Sequence, residues 1–353
     1  MGGAGVASTE GSEALLVNPA ALGLMDADVG MREGQARQDI HMEASTTLLM
    51  RGLPLYLRQG MKHKKSVGLT NIDTLLARDP TLPDVLWDLN RQTFSARPEL
   101  QLTVAGGSFA VTGWMLGDVG LLFRHQAIFP GTEVRDTVSV GLQVGTSQVL
   151  IPNELWAGVA AKLMLAEVGA YRSEVSLAQE EQSSLNQIVT DQIRLRGMEW
   201  VGGADVGLLW LPVEEWRLGT AVRDLGMHFR GDVLMPQWDV GVSWLPSSEQ
   251  SEGPWKQRLA LSLGFVDLLD ARQDWKPLSK IAIGGQFQAS PLPYRLFSLR
   301  LSGGFLGGYP TAGIGLDLLR VTHLDVSTWA REAGWYTGQL PDRIWSLRGS
   351  IGW

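Results

Sequence analysis

The sequence predicts an all-β protein, namely a transmembrane antiparallel β-barrel of about 14 strands, within a range of roughly 12 to 16. Three observations favour this fold class. Apolar and polar residues alternate along most of the chain after about residue 99, tryptophan recurs at the ends of the apolar rows, and the 353 residues include 42 glycines and 14 tryptophans. Alternation with a period of two puts one set of side chains on each face of a strand.

The alternating segments give the order of the predicted strands. Segment 138–145 reads VSVGLQVG and segment 258–265 reads RLALSLGF, so a row of large apolar residues alternates with small or polar ones. Segments of this kind lie near 37–48, 99–105, 108–117, 119–129, 134–146, 154–165, 167–176, 198–211, 215–224, 236–245, 257–267, 279–290, 294–305, 310–319, 321–330 and 343–353. Tight turns are predicted at Gly106–Gly107, Gly117–Asp118, 212–215 and 290–293.

The second face of these strands separates a membrane barrel from the alternatives, a soluble β-sandwich or a lipocalin-like barrel. A sandwich exposes mainly lysine, glutamate and threonine on its outer faces. Here the polar rows are largely glycine, alanine, serine, glutamine and arginine, which suit a crowded, wet lumen, and the apolar rows would face lipid. Tryptophan is expected at the two membrane interfaces. The apolar rows end in Trp114, Trp210, Trp216, Trp238, Trp244, Trp345 and Trp353, and the last six are candidates for an interfacial girdle.

Composition narrows the classes of function. The absence of cysteine excludes disulfides and thiolate metal sites, and the five histidines are scattered singly, so we expect no metal and no cofactor. A net charge of −7 argues against nucleic acid as a partner. No apolar run reaches the ~18 residues of a transmembrane helix. The start lacks a signal peptide, so either the protein is cytosolic or the numbering begins near a mature N-terminus. Because the strands predict a membrane barrel, we expect an outer membrane of the Gram-negative type, with the signal peptide removed.

The first residues do not match a nucleotide site. Gly3 and Gly5 match the first part of a dinucleotide fingerprint, but the third position is Ser8 and no strand precedes them. Asn18-Pro19-Ala20 favours a turn, and the glycines allow backbone to pass through a narrow lumen. We expect one barrel domain, 1–353, in which segment 1–35 precedes the first predicted strand. Segments 70–95 and 176–196 have helical spacing and are predicted as helical or loop insertions.

The opening "GGAGVA" followed by Asn18-Pro19-Ala20 resembles the N-terminal region of FadL-type outer-membrane transporters. It also resembles the start of the related PorV/TraF-like outer-membrane proteins, as do segment 220–226 and the segment from Gly338 to the last strand. Asp224 departs from the family pattern, where asparagine is commoner. The resemblance implies a 14-stranded barrel that holds an N-terminal hatch, here segment 1–35.

Polar residues on the inner faces are the other candidate site. Arg258, Arg300 and Arg348 are expected in the lumen, where they could pair with Asp239, Asp325 or Glu214 or steer anions. His323 and Asp325 share a strand face, as in omptin-type barrel proteases, and Ser327 lies on the same face. The alternative is that these are satisfied polar residues of a lumen wall, without catalysis.

Three functions follow from these observations, and the first two come from the resemblance. The first is a passive route for hydrophobic small molecules. The second is a PorV-like structural or adaptor barrel that docks a secreted protein or an envelope complex through its loops. The third, more remote, is an outer-membrane hydrolase, although we expect no enzyme. The expected partners are outer-membrane lipid and lipopolysaccharide, a hydrophobic small molecule or a docked protein, and no nucleic acid.

Overall fold

Fourteen antiparallel strands close into a barrel in the computed structural model. The structure describes residues 5–8, 13–24, 41–51, 93–125, 130–174, 198–213, 215–229, 232–246, 255–271, 277–291, 296–319, 321–332 and 341–352. Strands that follow one another in the chain are neighbours in the barrel. The first strand, β1 (His41–Arg51), closes the ring by pairing with the last, β16 (Pro341–Gly352), from Glu43↔Gly352 to Arg51↔Ile344. The start of β1 and the end of β16 therefore lie at the same end of the barrel, which we call the terminal end.

The strands vary in length around the ring. They are β1 His41–Arg51, β2 Thr93–Gly106, β3 Phe109–His125, β4 Pro130–Ile151, β5 Leu155–Glu174, β6 Glu199–Val213, β7 Trp216–Leu225, β10 Gln237–Trp244, β11 Trp255–Phe265, β12 Ile281–Pro291, β13 Phe297–Leu306, β14 Tyr309–Leu318, β15 Thr322–Glu332 and β16 Pro341–Gly352. The short β8 His228–Phe229 and β9 Asp232–Val233 form a separate ribbon, so β7 pairs directly with β10.

The predicted fold class and the count of 14 strands are confirmed. Two predicted segments, 108–117 and 119–129, form one strand, so the turn predicted at Gly117–Asp118 is wrong. β3 continues because both residues pair with β4, Gly117 with Val138 and Asp118 with Thr137. A glycine beside an aspartate favours a turn only locally, and pairing with a neighbouring strand overrides that preference. Similarly, segments 154–165 and 167–176 belong to the single strand β5.

The two faces of the barrel have opposite chemistry. Leu142 and Leu163 point outward and are each 49% exposed, whereas Gln143 and Ser139 point inward and are buried. The outward residues are apolar on most strands, and the inward ones are small, polar or charged. An outer surface that is apolar around the whole barrel is stable in lipid and not in water. The apolar outer face and polar inner face are therefore those of a barrel that spans a membrane.

Five candidates for the girdle lie on the outward rows. Trp210, Trp216 and Trp244 lie toward the terminal end, and the rings of the last two are 6.4 Å apart between centroids. Trp238 and Trp345 lie toward the opposite end. Trp353 is outside the described residues. The prediction for Trp114 is wrong: its ring lies over Gly141 on the inner face, because β3 presents its even-numbered residues to the lumen.

The described part of the predicted hatch lies inside the barrel. Helix α1, Ala14–Val17, is followed by a 3₁₀ turn at Pro19–Leu22, and both pack against β4, with the turn also contacting β5 and β6. No helix among the described residues is long and apolar enough to cross a membrane. The predicted insertions at 70–95 and 176–196 fall outside the described residues except for 93–95, which begin β2.

Lipid exposure of the outer face predicts a depth-dependent cost for a charge. We expect Leu163→Lys, near the middle of β5, to lower the free energy of unfolding by about 2–4 kcal/mol, because an ammonium in the apolar band loses its hydration. The control Phe109→Lys, at the start of β3 beside a turn, should cost about 1 kcal/mol or less. Denaturant titration of the barrel in liposomes measures both. Equal costs would contradict a membrane-embedded β5.

Candidate functional site: the hatch and the polar cavity

The hatch packs against one side of the barrel wall. Leu15 and Leu22 of the hatch have no exposed surface, and they form an apolar cluster with Trp156 of β5 and Leu209 of β6. Burying two leucine side chains this completely contributes on the order of 1.5–3 kcal/mol each. The hatch is therefore held as part of the folded core on this side, which we call the hatch wall (β4, β5, β6, β7 and β10).

Asn18 connects the hatch to the wall through a fully buried side chain. Its Oδ1 accepts a hydrogen bond from the backbone N–H of Ala20 at 3.1 Å, which caps the 3₁₀ turn, and Pro19 occupies the first position of that turn. Its Nδ2 donates to the carbonyl oxygens of Val6, at 2.9 Å, and of Leu208 in β6, at 3.2 Å. One amide thus satisfies buried backbone groups of both hatch segments and of the barrel.

Glycines on the hatch wall make room for this contact. A Cβ at Gly207 would overlap Asn18 Oδ1, and a Cβ at Gly158 would overlap the backbone of Pro19 and Ala20. The inward rows carry the same device elsewhere, at Gly145 against Leu15, at Gly219 against the backbone of Val6 and Ala7, and at Gly241 against Val6. The hatch backbone can approach the strands this closely only because these side chains are absent.

A buried polar network lies beside the apolar cluster. Gln143 donates to the Leu15 carbonyl of the hatch at 3.2 Å and to Asp205 at 2.8 Å. Asp205 also receives Lys162 Nζ at 2.8 Å and the Asp224 backbone N–H at 2.8 Å, and Lys162 forms a further ion pair with Asp224. The Asp205 carboxylate, whose residue is 2% exposed, is therefore compensated by an ammonium and two N–H donors.

The opposite side of the hatch faces a polar cavity of about 510 Å³. The hatch contributes Glu13, Leu16 and Val17, and the facing wall comes from β1, β2 and β12 to β16, which we call the cavity wall. An ion pair between Glu13 and Arg348 of β16 spans the two, and Arg348 also lies 3.3 Å from Glu43 Oε1. The cavity wall contributes Thr47, Glu99, Gln101, Gln286, Arg300, Ser302, Gly313, Ile314, Gly315, Asp325, Val326, Ser327, Trp329, Ser346 and Arg348.

Arg300 organises the second ion-pair group of the cavity wall. Its Nη2 lies 2.8 Å from Asp317 Oδ1 and 3.2 Å from Asp325 Oδ1, and His323 Nδ1 lies 2.8 Å from Asp317 Oδ1. The reach from β13 across β14 to Asp325 in β15 passes over Gly315, where a Cβ would overlap Asp325 Oδ1. His323 and Asp325 thus share a face as expected, but the carboxylate bonded to His323 is that of Asp317.

The other predicted site residues lie in different parts of the chain. Arg300 and Arg348 line the cavity, whereas Arg258 is on the inward row near the terminal end and is exposed. Asp239, expected to pair with one of these arginines, pairs with Arg223 instead. Gly5 closes a turn by accepting the Ser8 N–H at 3.0 Å. Gly3 and Glu214 are outside the described residues.

Sequence reasoning missed six charged residues of the lumen: Glu13, Glu43, Glu99, Lys162, Asp205 and Asp317. Five of them, all except Glu13, could have been found, because they occupy inward positions of alternating segments. The pairing of Asp317 with His323 follows from the tight β14–β15 turn, which sets Asp317 opposite His323. Glu13 lies in the hatch, where no periodicity indicates a direction.

Comparison with known proteins identifies the fold. The Ralstonia pickettii toluene transporter TbuX is similar at a TM-score of 0.50 and 12% identity, over 100% of this chain and 95% of that chain. The Pseudomonas putida toluene transporter TodX gives a TM-score of 0.46 and 10% identity, over 100% and 95%. At such identities the likeness to TbuX shows the fold alone. No family model matches the chain, and no curated protein matches it.

Because Asn18 contacts the hatch wall at β6, we expect two glycine variants of that strand to differ in their effect on the hatch. Gly207→Ala places a methyl group against Asn18, whereas Gly202→Ala places one on the outer face, with Leu163 Cδ1 nearest at 3.9 Å. Losing the buried hydrogen bonds of Asn18 costs on the order of 1–3 kcal/mol. We therefore expect Gly207→Ala to loosen the hatch and Gly202→Ala to leave it in place.

The chain has no cysteine, so one introduced cysteine can report this motion. Ala21→Cys replaces a hatch residue that is 1% exposed. A maleimide should label it roughly tenfold or more faster in the Gly207→Ala background, since tenfold corresponds to about 1.4 kcal/mol. Equal labelling rates in the Gly207→Ala and Gly202→Ala backgrounds would show that Asn18 does not hold the hatch.

Proposed function

We propose that the protein is an outer-membrane barrel that gives small hydrophobic molecules a passive route past a movable hatch. The observation that carries this proposal is the asymmetric seating of the hatch. Its hatch-wall side approaches glycine-lined strands closely, and its other side borders a cavity and contacts the cavity wall through the Glu13–Arg348 ion pair. A hatch that is fixed on one side can move or change its conformation on the other side without unfolding of the barrel.

The fold supports the same class of function. TbuX, named as a toluene transporter, shares the 14-stranded architecture over the whole of this chain. The strand wall also has a local gap in pairing: Arg97 and Pro98 of β2 are unpaired with β3, because proline has no N–H to donate. Plug movement and a lateral opening are both available to a solute that needs no chemistry, and no catalytic step is proposed.

The polar cavity limits where a hydrophobic solute could travel. An aromatic molecule gains little among paired guanidiniums and carboxylates, whose desolvation would oppose binding. Leu16 and Val17 on the hatch and Ile314, Val326 and Trp329 on the cavity wall are the apolar residues that border the cavity, although Ile314 and Val326 expose their side chains on the outer face. The route we propose therefore runs along the hatch surface and depends on hatch movement, since the seated hatch leaves only these apolar groups beside the charges.

The alternative to this route is an adaptor barrel that docks a protein partner through its loops. The ion-paired lining of the cavity wall fits a filled lumen and a conducting one alike, so it does not choose between the two functions. An adaptor makes opposite predictions in the uptake experiment below, because a sealed barrel passes no solute and retains a protein partner during purification.

Uptake of toluene tests the route. In cells of a Gram-negative host that lacks its own aromatic transporter, the wild-type barrel should raise the initial rate of labelled toluene uptake above that of cells without it. Gly207→Ala, by loosening the hatch, should raise the rate further and admit a small sugar, and Gly202→Ala should match the wild type. Rates equal to those of cells without the barrel, for every variant, would contradict the route and favour the adaptor.

The Glu13–Arg348 ion pair predicts a salt-dependent hatch. Glu13→Gln removes the charge that faces Arg348, so labelling of the Ala21→Cys reporter should accelerate by about two- to fivefold, in the range expected for one partly exposed pair. High salt should accelerate labelling of the wild-type hatch and leave Glu13→Gln unchanged, because screening acts only on the intact pair. Glu154→Gln, on the exposed β4–β5 turn, is the control. The same salt response in both backgrounds would contradict the role of this pair.

A further inference from the structure

The cavity between the hatch and the cavity wall has a charge that the proposed route does not use. Its volume of about 510 Å³ is that of a site for a small molecule. Three carboxylates line it, those of Glu13, Glu99 and Asp325, against two guanidiniums, those of Arg300 and Arg348. The charged groups of the lining are therefore of both signs, with one more acid than base.

Both guanidiniums are already compensated twice. Arg300 is bound by Asp317 and Asp325, and Arg348 is bound by Glu13 and Glu43. Glu99 belongs to neither of these ion-pair groups. Together, Glu99 and the two ion-pair groups hold five carboxylates against two guanidiniums. Protonation of both His323 and His41, which lies 3.8 Å from Glu43, would still leave five carboxylates against four cations. The net charge of these residues is therefore negative.

The excess of carboxylates over cations determines which charge a ligand of this cavity would carry. An anion could reach Arg300 or Arg348 only by displacing a carboxylate, which would then lie in the lumen without its partner. A cation can approach the Glu99 carboxylate without displacing either guanidinium. Hydroxyl and amide groups line the same space and can accept N–H donors, and a tryptophan offers an aromatic face to an ammonium. These groups are Thr47, Gln101, Gln286, Ser302, Ser327, Ser346 and Trp329.

We propose that this cavity is a binding site for a small organic cation, of the class of aliphatic amines and diamines. Ammonium binding here does not require that hydrophobic molecules pass the hatch, because the carboxylates of the cavity provide it. Its occupant sits between Glu99, Asp325 and Glu13 and therefore borders the hatch, so cation binding and hatch position are linked through Glu13.

Calorimetry with three four-carbon ligands tests the sign directly. The purified barrel in an uncharged detergent is titrated with 1,4-diaminobutane, butane-1,4-diol and butanedioate, which differ only in their end groups. The diammonium should bind at one site and bind more weakly as salt is raised, and the diol and the dianion should not bind. Tighter binding of butanedioate, or no binding of the diammonium, would overturn the proposal.

Variants locate the binding. Glu99→Gln removes one lining charge and should weaken diammonium binding by at least about fivefold. The control Glu154→Gln makes the same change on an exposed turn and should have no effect. Ser327→Lys places an ammonium inside the cavity and should abolish binding, which keeps the test informative if Glu99→Gln folds poorly. Unchanged affinity in Ser327→Lys would put the ligand elsewhere. The toluene uptake experiment is independent of this calorimetry, so either proposal can be contradicted while the other stands.

Discussion

Closing 14 strands creates a lumen that the barrel's own side chains do not fill, and the rest of the structure depends on what fills it. A barrel of eight strands is about as wide as its inward side chains can fill, and barrels of 16 to 18 strands leave a water channel. This chain lies between these limits. It places an N-terminal segment inside and leaves a cavity beside it. The packing of that segment, the charges around the cavity and the proposed functions all follow from this geometry.

The filling is uneven because the inward rows differ around the ring. On the hatch wall, glycine recurs at the contact positions, so backbone meets backbone and Asn18 satisfies carbonyls on both sides. On the cavity wall the inward rows carry arginine, aspartate and glutamate, which need water or partners and so keep strands and hatch apart. Apolar packing fixes the hatch on one side. Ion pairs, which are weaker and respond to salt, hold it on the other.

Sequence alone gave the fold because alternation is a local signal. Every strand of the barrel repeats its own period of two, so the face toward lipid could be assigned without knowing any partner. Strand limits were less certain, since Gly117 and Asp118 favour a turn until β4 pairs with them. Trp114 shows the same limit: an aromatic near a strand end was assigned to the lipid face, but its parity in β3 directs it onto Gly141. The Asn18 motif was recognised only through a resemblance, because its hydrogen bonds join residues up to 190 positions apart.

The charged residues of the cavity show why a site is harder to predict than a fold. Arg300, His323 and Asp325 were each placed on an inward row, but their partners depend on which strands are neighbours and on the absence of a side chain at Gly315. Without that gap, Arg300 of β13 could not reach Asp325 of β15 across β14. Gly315 thus lets Asp325 reach an arginine, while the register of β14 and β15 sets Asp317 opposite His323. The same redistribution neutralises both guanidiniums and leaves the carboxylate of Glu99 to give the cavity its sign.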